Sequence, residues 1–109
     1  MRYLLTSLFL FGLSITFGQS KYNRILNSID DNKTNYSGIA QQIWSYAEMG
    51  YQETQSSALL QKTLEEAGFK ITTGVADIPT AFTATYGSGG PVIAVLGEFD
   101  ALPGLSQKA

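Results

Sequence analysis

Val92 through Leu96 is a run of five consecutive apolar residues, set between Gly87-Ser88-Gly89-Gly90-Pro91 and Gly97. A strand that alternates polar and apolar residues needs only one covered face. One that is apolar throughout needs both faces covered, as in the interior of a parallel α/β sheet. This run therefore predicts a third strand buried on two sides. The chain upstream offers helices for one side and nothing evident for the other. The expectation is that the chain begins a larger domain, or docks onto whatever supplies the missing layer.

Upstream, the apolar spacing changes period once. Ile25, Ile29, Tyr36, Ile39, Ile43 and Ala47 recur at mostly three- and four-residue intervals, which predicts one helical stripe over 21–49. Gly38 and the polar stretch Asp30 to Asn35 leave open a break near Asn32. Gly50 is placed to end the helix as a left-handed residue. A second helix fits Thr54 to Ala67, with Leu60, Leu64 and Ala67 on one face. Lys62 and Glu66 lie one turn apart, Glu53 stands near the helix start, and Gly68 stops it. Beyond Gly68 the period becomes two. Phe69 to Thr73 reads as a strand with one wet face, and Thr80 to Tyr86, rich in β-branched and aromatic residues, reads as another. Gly87 to Gly90 then reads as a hairpin turn. A phosphate-cradling loop would need a helix right after it, and a strand is predicted there instead. The predicted class is α/β, two helices followed by three strands.

The 109 residues include no cysteine and no histidine. Disulfides, thiol nucleophiles and Ser-His-Asp triads are excluded within this chain, and a metal would have to rest on carboxylates and carbonyls. A formal charge of −2 and a pI near 4.9 argue against a nucleic-acid partner. At the amino end, Arg2 precedes an uncharged stretch from Tyr3 to Gln19 rich in Leu, Phe and Ile. A positive start, a short apolar middle and a small-residue end have the plan of a secretory signal peptide over 1–18, leaving 19–109 as the mature part. The run is short for a membrane anchor, so the membrane enters only through this leader. The expected destination is the periplasm or the extracellular space.

Among the acidic residues, Glu98 and Asp100 lie just past the predicted third strand, where ligands of open α/β sheets gather. They could edge a site or form a solvated acidic turn. As an acid/base pair they would suit a small stand-alone enzyme. Asp30-Asp31-Asn32 starts like a calcium loop, but Asn35 stands where glycine is needed, and no glutamate closes it. Glu48 and Glu53 bracket Gly50 and read as helix-end charges more readily than as site residues. Trp44 and Tyr46 read as packing residues.

Several segments, in order, resemble the metal-dependent aminoacylase and amidohydrolase family. They are Ile43-Trp44-Ser45-Tyr46-Ala47-Glu48-Met49-Gly50-Tyr51-Gln52-Glu53, Ala58 to Phe69, Pro79-Thr80-Ala81-Phe82, and Gly97-Glu98-Phe99-Asp100-Ala101-Leu102-Pro103-Gly104. The likeness runs from about Ile39 to Ala109 and is strongest to the p-aminobenzoyl-glutamate hydrolase branch. It implies the amino-terminal part of a three-layer α/β/α, zinc-exopeptidase-like catalytic domain, acting on amide bonds of N-acyl amino acids or small peptides. It also implies zinc, or another divalent metal pair, as the cofactor of the full-length enzyme. There the metals make a nucleophilic hydroxide and polarise the carbonyl. Asp100 matches a catalytic-site aspartate that orients a metal ligand without binding metal. Glu98 falls where some relatives place a metal-binding histidine, and that role is not transferred.

The family's Cys and His ligands and its general-base glutamate follow a segment of this kind and have no counterpart here. The chain alone is therefore expected to bind no metal tightly and to be inactive. The alternative is an exported non-catalytic interaction module, compatible with a homo-oligomer that covers the open sheet face. If the leader is removed on export, amino-terminal sequencing of the mature product should begin at Gln19 or Lys21. A product retaining Met1 or Arg2 would contradict cleavage.

Overall fold

The computed structural model describes the backbone of residues 2–105 and the side chains of residues 22–105. Chain order is helix α1 (Arg2–Tyr46), helix α2 (Thr54–Glu66), strand β1 (Lys70–Thr73), a short 3-10 turn (Val75–Asp77) and strand β2 (Phe82–Thr85). The side chains of the expected leader, 1–18, lie outside the described residues, as does the end of the chain from 106. The chain divides into two units, 1–37 and 38–109.

In the first unit the helix is unbroken through Asp30 to Asn35, so of the two alternatives left open the continuous helix is the one formed. The Asn32 side chain donates to the Ser28 carbonyl at 2.8 Å, one turn back. Ile25, Ile29 and Tyr36 are exposed. Among the described residues no helix is long and apolar enough to cross a membrane.

The second unit carries the rest. Helix α1 ends at Tyr46, and Ala47, at φ 50°, takes the left-handed position predicted for Gly50. Helix α2 matches its predicted span to within a residue, and its end is a complete glycine stop. Gly68 stands at φ 90°, its amide donates to the Glu65 carbonyl at 2.9 Å, and the Phe69 amide donates to the Leu64 carbonyl at 3.0 Å. These are the two bonds of a Schellman motif. Lys62 and Glu66 approach to 3.8 Å on the solvent side, where such a pair contributes little.

After Gly68 the chain turns directly into β1, which pairs antiparallel with β2 in the register Ile71–Ala84 and Thr73–Phe82. Ile71, Phe82 and Ala84 are half-buried, while Lys70, Thr72, Thr83 and Thr85 face water. This is the predicted single wet face, except that Thr73, expected on the covered side, is exposed. Helix α2 packs on this hairpin.

The third strand is a correction. Residues 92–96 form no strand ladder among the described residues, and Val92, Ile93, Val95 and Leu96 are 86–93% exposed. A strand is defined by its ladder, and among the described residues no edge is aligned to receive this one. Gly87 to Gly90 accordingly forms bends and not the turn of a paired hairpin. The observed sheet has two strands, so the chain is α/β with two helices and two strands. Among the described residues no hydrophobic side chain is fully buried; Ser56 and Ser57, at 1% and 3% exposure, are the buried ones.

Because Gly68 needs a left-handed backbone, at φ 90°, Gly68→Ala should cost about 1 kcal/mol. The expected readout is roughly fivefold faster amide exchange at Gly68 and Phe69, with the first turn of α2 unchanged.

Candidate functional site

Short connections bring three stretches of the second unit together: the α1–α2 loop, the start of α2, and residues 99–102. The loop is stiffened first. Tyr51 is left-handed at φ 66°, and the Gln52 amide donates to the Met49 carbonyl at 2.9 Å. Helix α2 then begins with Glu53 at its N-cap, but the Glu53 side chain makes no capping bond. Glu48 makes it instead. Its Oε1 accepts the Gln55 amide at 2.9 Å, and its Oε2 accepts the Ser56 amide at 2.8 Å. These are the second and third amides of the helix, the ones an N-cap side chain ordinarily satisfies.

Glu53 is thereby released for another contact. Its Oε2 accepts the Thr80 hydroxyl at 2.8 Å, and the Ser57 hydroxyl donates to the Thr80 carbonyl at 2.6 Å. The stretch leading into β2 is thus tied to the first turn of α2.

Residues 99–101 run parallel to the α1–α2 loop. Met49 and Ala101 form a parallel bridge, and the Ala101 amide donates to the Glu48 carbonyl at 2.7 Å. Phe99 approaches Phe82 of β2 with ring centroids 6.2 Å apart. Asp100 lies between these contacts. A Cβ placed on Gly50 would sit 3.6 Å from Asp100 Oδ2 and 4.0 Å from Glu53 Oε1. Gly50 therefore marks where two carboxylates approach the loop backbone, and not the end of α1. A cavity of about 480 Å³ opens beside Asp100, lined among others by Ile43, Trp44, Glu48, Phe99 and Leu102. Trp44, expected as a packing residue, is 47% exposed and lines it.

The structure thus places Asp100 at a cavity wall, while Glu98 is not among the residues lining it. The two carboxylates that could form an acid/base couple are not brought together there. Glu48 serves a helix end, the blander of its two alternatives, while Glu53 stands at the N-cap position with its carboxylate turned to Thr80. Glu48 is the site residue that sequence reasoning undervalued. It stands too far ahead of α2 for any capping spacing to flag it.

The carboxyls carry the electrostatic consequence. Loss of solvation opposes charge on Glu48, but hydrogen bonds led by the amides of Gln55 and Ser56 outweigh it and hold the group below its usual 4.5. Glu53 is also lowered, chiefly by its own amide and then by the Thr80 hydroxyl. Among the described residues no three Asp, Glu, His or Cys side chains are grouped to hold a metal ion. A protein metal centre needs about three or four ligands. The residues present do not fit one.

This scaffold, two helices leading into an antiparallel hairpin with an aspartate held at a cavity wall, belongs to the metal-dependent amidohydrolase family by sequence. The relationship is shown by one of the subunits of p-aminobenzoyl-glutamate hydrolase from Escherichia coli (strain K12), which is 47% identical over 91 residues, or 84% of this chain. The chain spans about a fifth of that relative's length, 19%. No family model matches the chain.

Because the folded Glu48 carboxyl is depressed, its capping contribution is complete above the unfolded value. It is lost as pH falls through the folded one. The Gln55 and Ser56 amide resonances should titrate together with a midpoint below the usual 4.5. A midpoint at or above that value would remove the carboxylate cap.

Proposed function

We propose that the chain supplies the amino-terminal part of an exported metal-dependent amidohydrolase that cleaves amide bonds of N-acyl amino acids or small peptides. Substrates resembling p-aminobenzoyl-glutamate suit this reading, since that compound names the relative's reaction. The observation that carries it is the 47% identity over 91 residues. The approach of Asp100 to Gly50 agrees with it. In this reading the two helices and the hairpin are the front of a three-layer domain. Its interior strand, residues 92–96, pairs with later parts of the protein. Asp100 then accepts a hydrogen bond from a neighbouring group and fixes its orientation, as carboxylates behind metal ligands do. Zinc or another divalent metal belongs to the complete enzyme and not to these residues. Assembly with other chains fits a relative that is named as one subunit of a hydrolase. Export rests on the apolar stretch that follows Arg2.

A second reading, a non-catalytic interaction module built on the front of the enzyme fold, draws on the exposed apolar run at Val92 to Leu96. The gene separates the two. Under the first reading, the sequence downstream of codon 109 encodes a Cys-Gly-His-like segment; under the second it does not.

The purified 109-residue chain, supplied with zinc and an N-acyl amino acid or p-aminobenzoyl-glutamate, should show no hydrolysis above background. Calorimetry should show no stoichiometric zinc uptake. Zinc-dependent turnover by the chain alone would overturn the assignment of its role.

A further inference from the structure

We propose that Glu48 is a positioning residue for Asp100, joining the start of α2 to the segment that carries the aspartate. Two parts of one residue do this. The carboxylate is fixed by the Gln55 and Ser56 amides at 2.9 and 2.8 Å, and the carbonyl of the same residue accepts the Ala101 amide at 2.7 Å. The next residue, Met49, bridges to Ala101, which places Asp100 alongside Gly50.

The rest of the tail has little else to hold it. Residues 92–96 make no ladder bonds. Among the described residues, the bond from Ala101 is the hydrogen bond that ties 87–105 to the remainder of the unit, with the Phe99 ring near Phe82 as an apolar neighbour. The orientation of the Glu48 peptide therefore decides where Asp100 points. That orientation is set by a side chain anchored on a helix end, and helix-mounted supports hold a site more rigidly than loop contacts do.

A carboxylate suits the joint because both of its oxygens accept. A Gln side chain in the same place has one acceptor and would turn an NH₂ group toward a second amide donor. Substitution should loosen the α2 start and the aspartate segment together. The mechanical claim stands on these contacts alone, while the value of Asp100 to a reaction rests on the amidohydrolase reading. The test below addresses only the former.

The experiment is NMR on the full 109-residue chain. In Glu48→Gln, the amides of Asp100 and Ala101 should shift along with those of Gln55 and Ser56. In the unsubstituted chain the Ala101 amide should share the Glu48 titration midpoint. The other carboxyls facing this region are Glu53 and Asp100, so the shared midpoint should persist in Glu53→Gln and in Asp100→Asn. If Gln55 and Ser56 respond in Glu48→Gln while Asp100 and Ala101 do not, Glu48 is a local cap and the proposal fails. If the variant does not fold, the titration of the unsubstituted chain decides by the same criterion.

Discussion

The start of α2 is the point on which the second unit depends. A helix of 13 residues gains little from its own hydrogen bonds, because nucleation is costly and several amides at its start lack partners. Here those amides are satisfied from outside the helix, those of Gln55 and Ser56 by Glu48 and that of Thr54 by the Gln52 carbonyl at 2.7 Å. Charge on an acceptor at a helix start is favourable, because the oriented peptides leave partial positive charge there. The same turn anchors Thr80 through Glu53 and Ser57, so the helix end also fixes the strand connection. Hydrogen bonding carries an unusual share of the load in a unit with no fully buried hydrophobic side chain among its described residues.

That balance bears on function. Apolar burial is the dominant favourable term in folding, and a unit that leaves Val92, Ile93, Val95 and Leu96 in water has not realised it. The chain also spans only 19% of its relative's length. What the unit does have is a corner. Helix α2 packs on a hairpin, and an aspartate is carried at the edge of a cavity walled largely by apolar side chains. Such a corner can orient a neighbouring group, and among the described residues no three Asp, Glu, His or Cys side chains cluster there.

Much of the fold is legible in the residues. The α2 span, the Gly68 stop, the Lys62–Glu66 approach and the alternation at Ile71, Phe82 and Ala84 follow from periodicity and glycine geometry, which act within a few residues. The departures share a different cause. Glycine's tolerance of the left-handed region points to Gly50 as the end of α1, but Ala47 occupies that region and Gly50 lies where a parallel segment approaches. The composition of residues 92–96 points to a strand, yet composition supplies only the propensity. A strand also needs a partner edge, and among the described residues none pairs with this segment.

The sequence by itself determined the local elements and the kinship, since hydrophobic period, turn chemistry and motif order are properties of neighbouring residues. It also marked Glu98 and Asp100 together through their setting past the predicted third strand, and the family resemblance singled out Asp100. Only the tertiary structure decided that Glu48 caps a helix beginning several residues later. It alone decided that Gly50 faces two carboxylates, and that Asp100 stands at a cavity while Glu98 does not line it. Those outcomes depend on contacts between segments distant in the chain, such as Glu48 with Ala101. No spacing rule encodes such contacts, because their geometry is fixed only when helix, loop and extended segment are brought together.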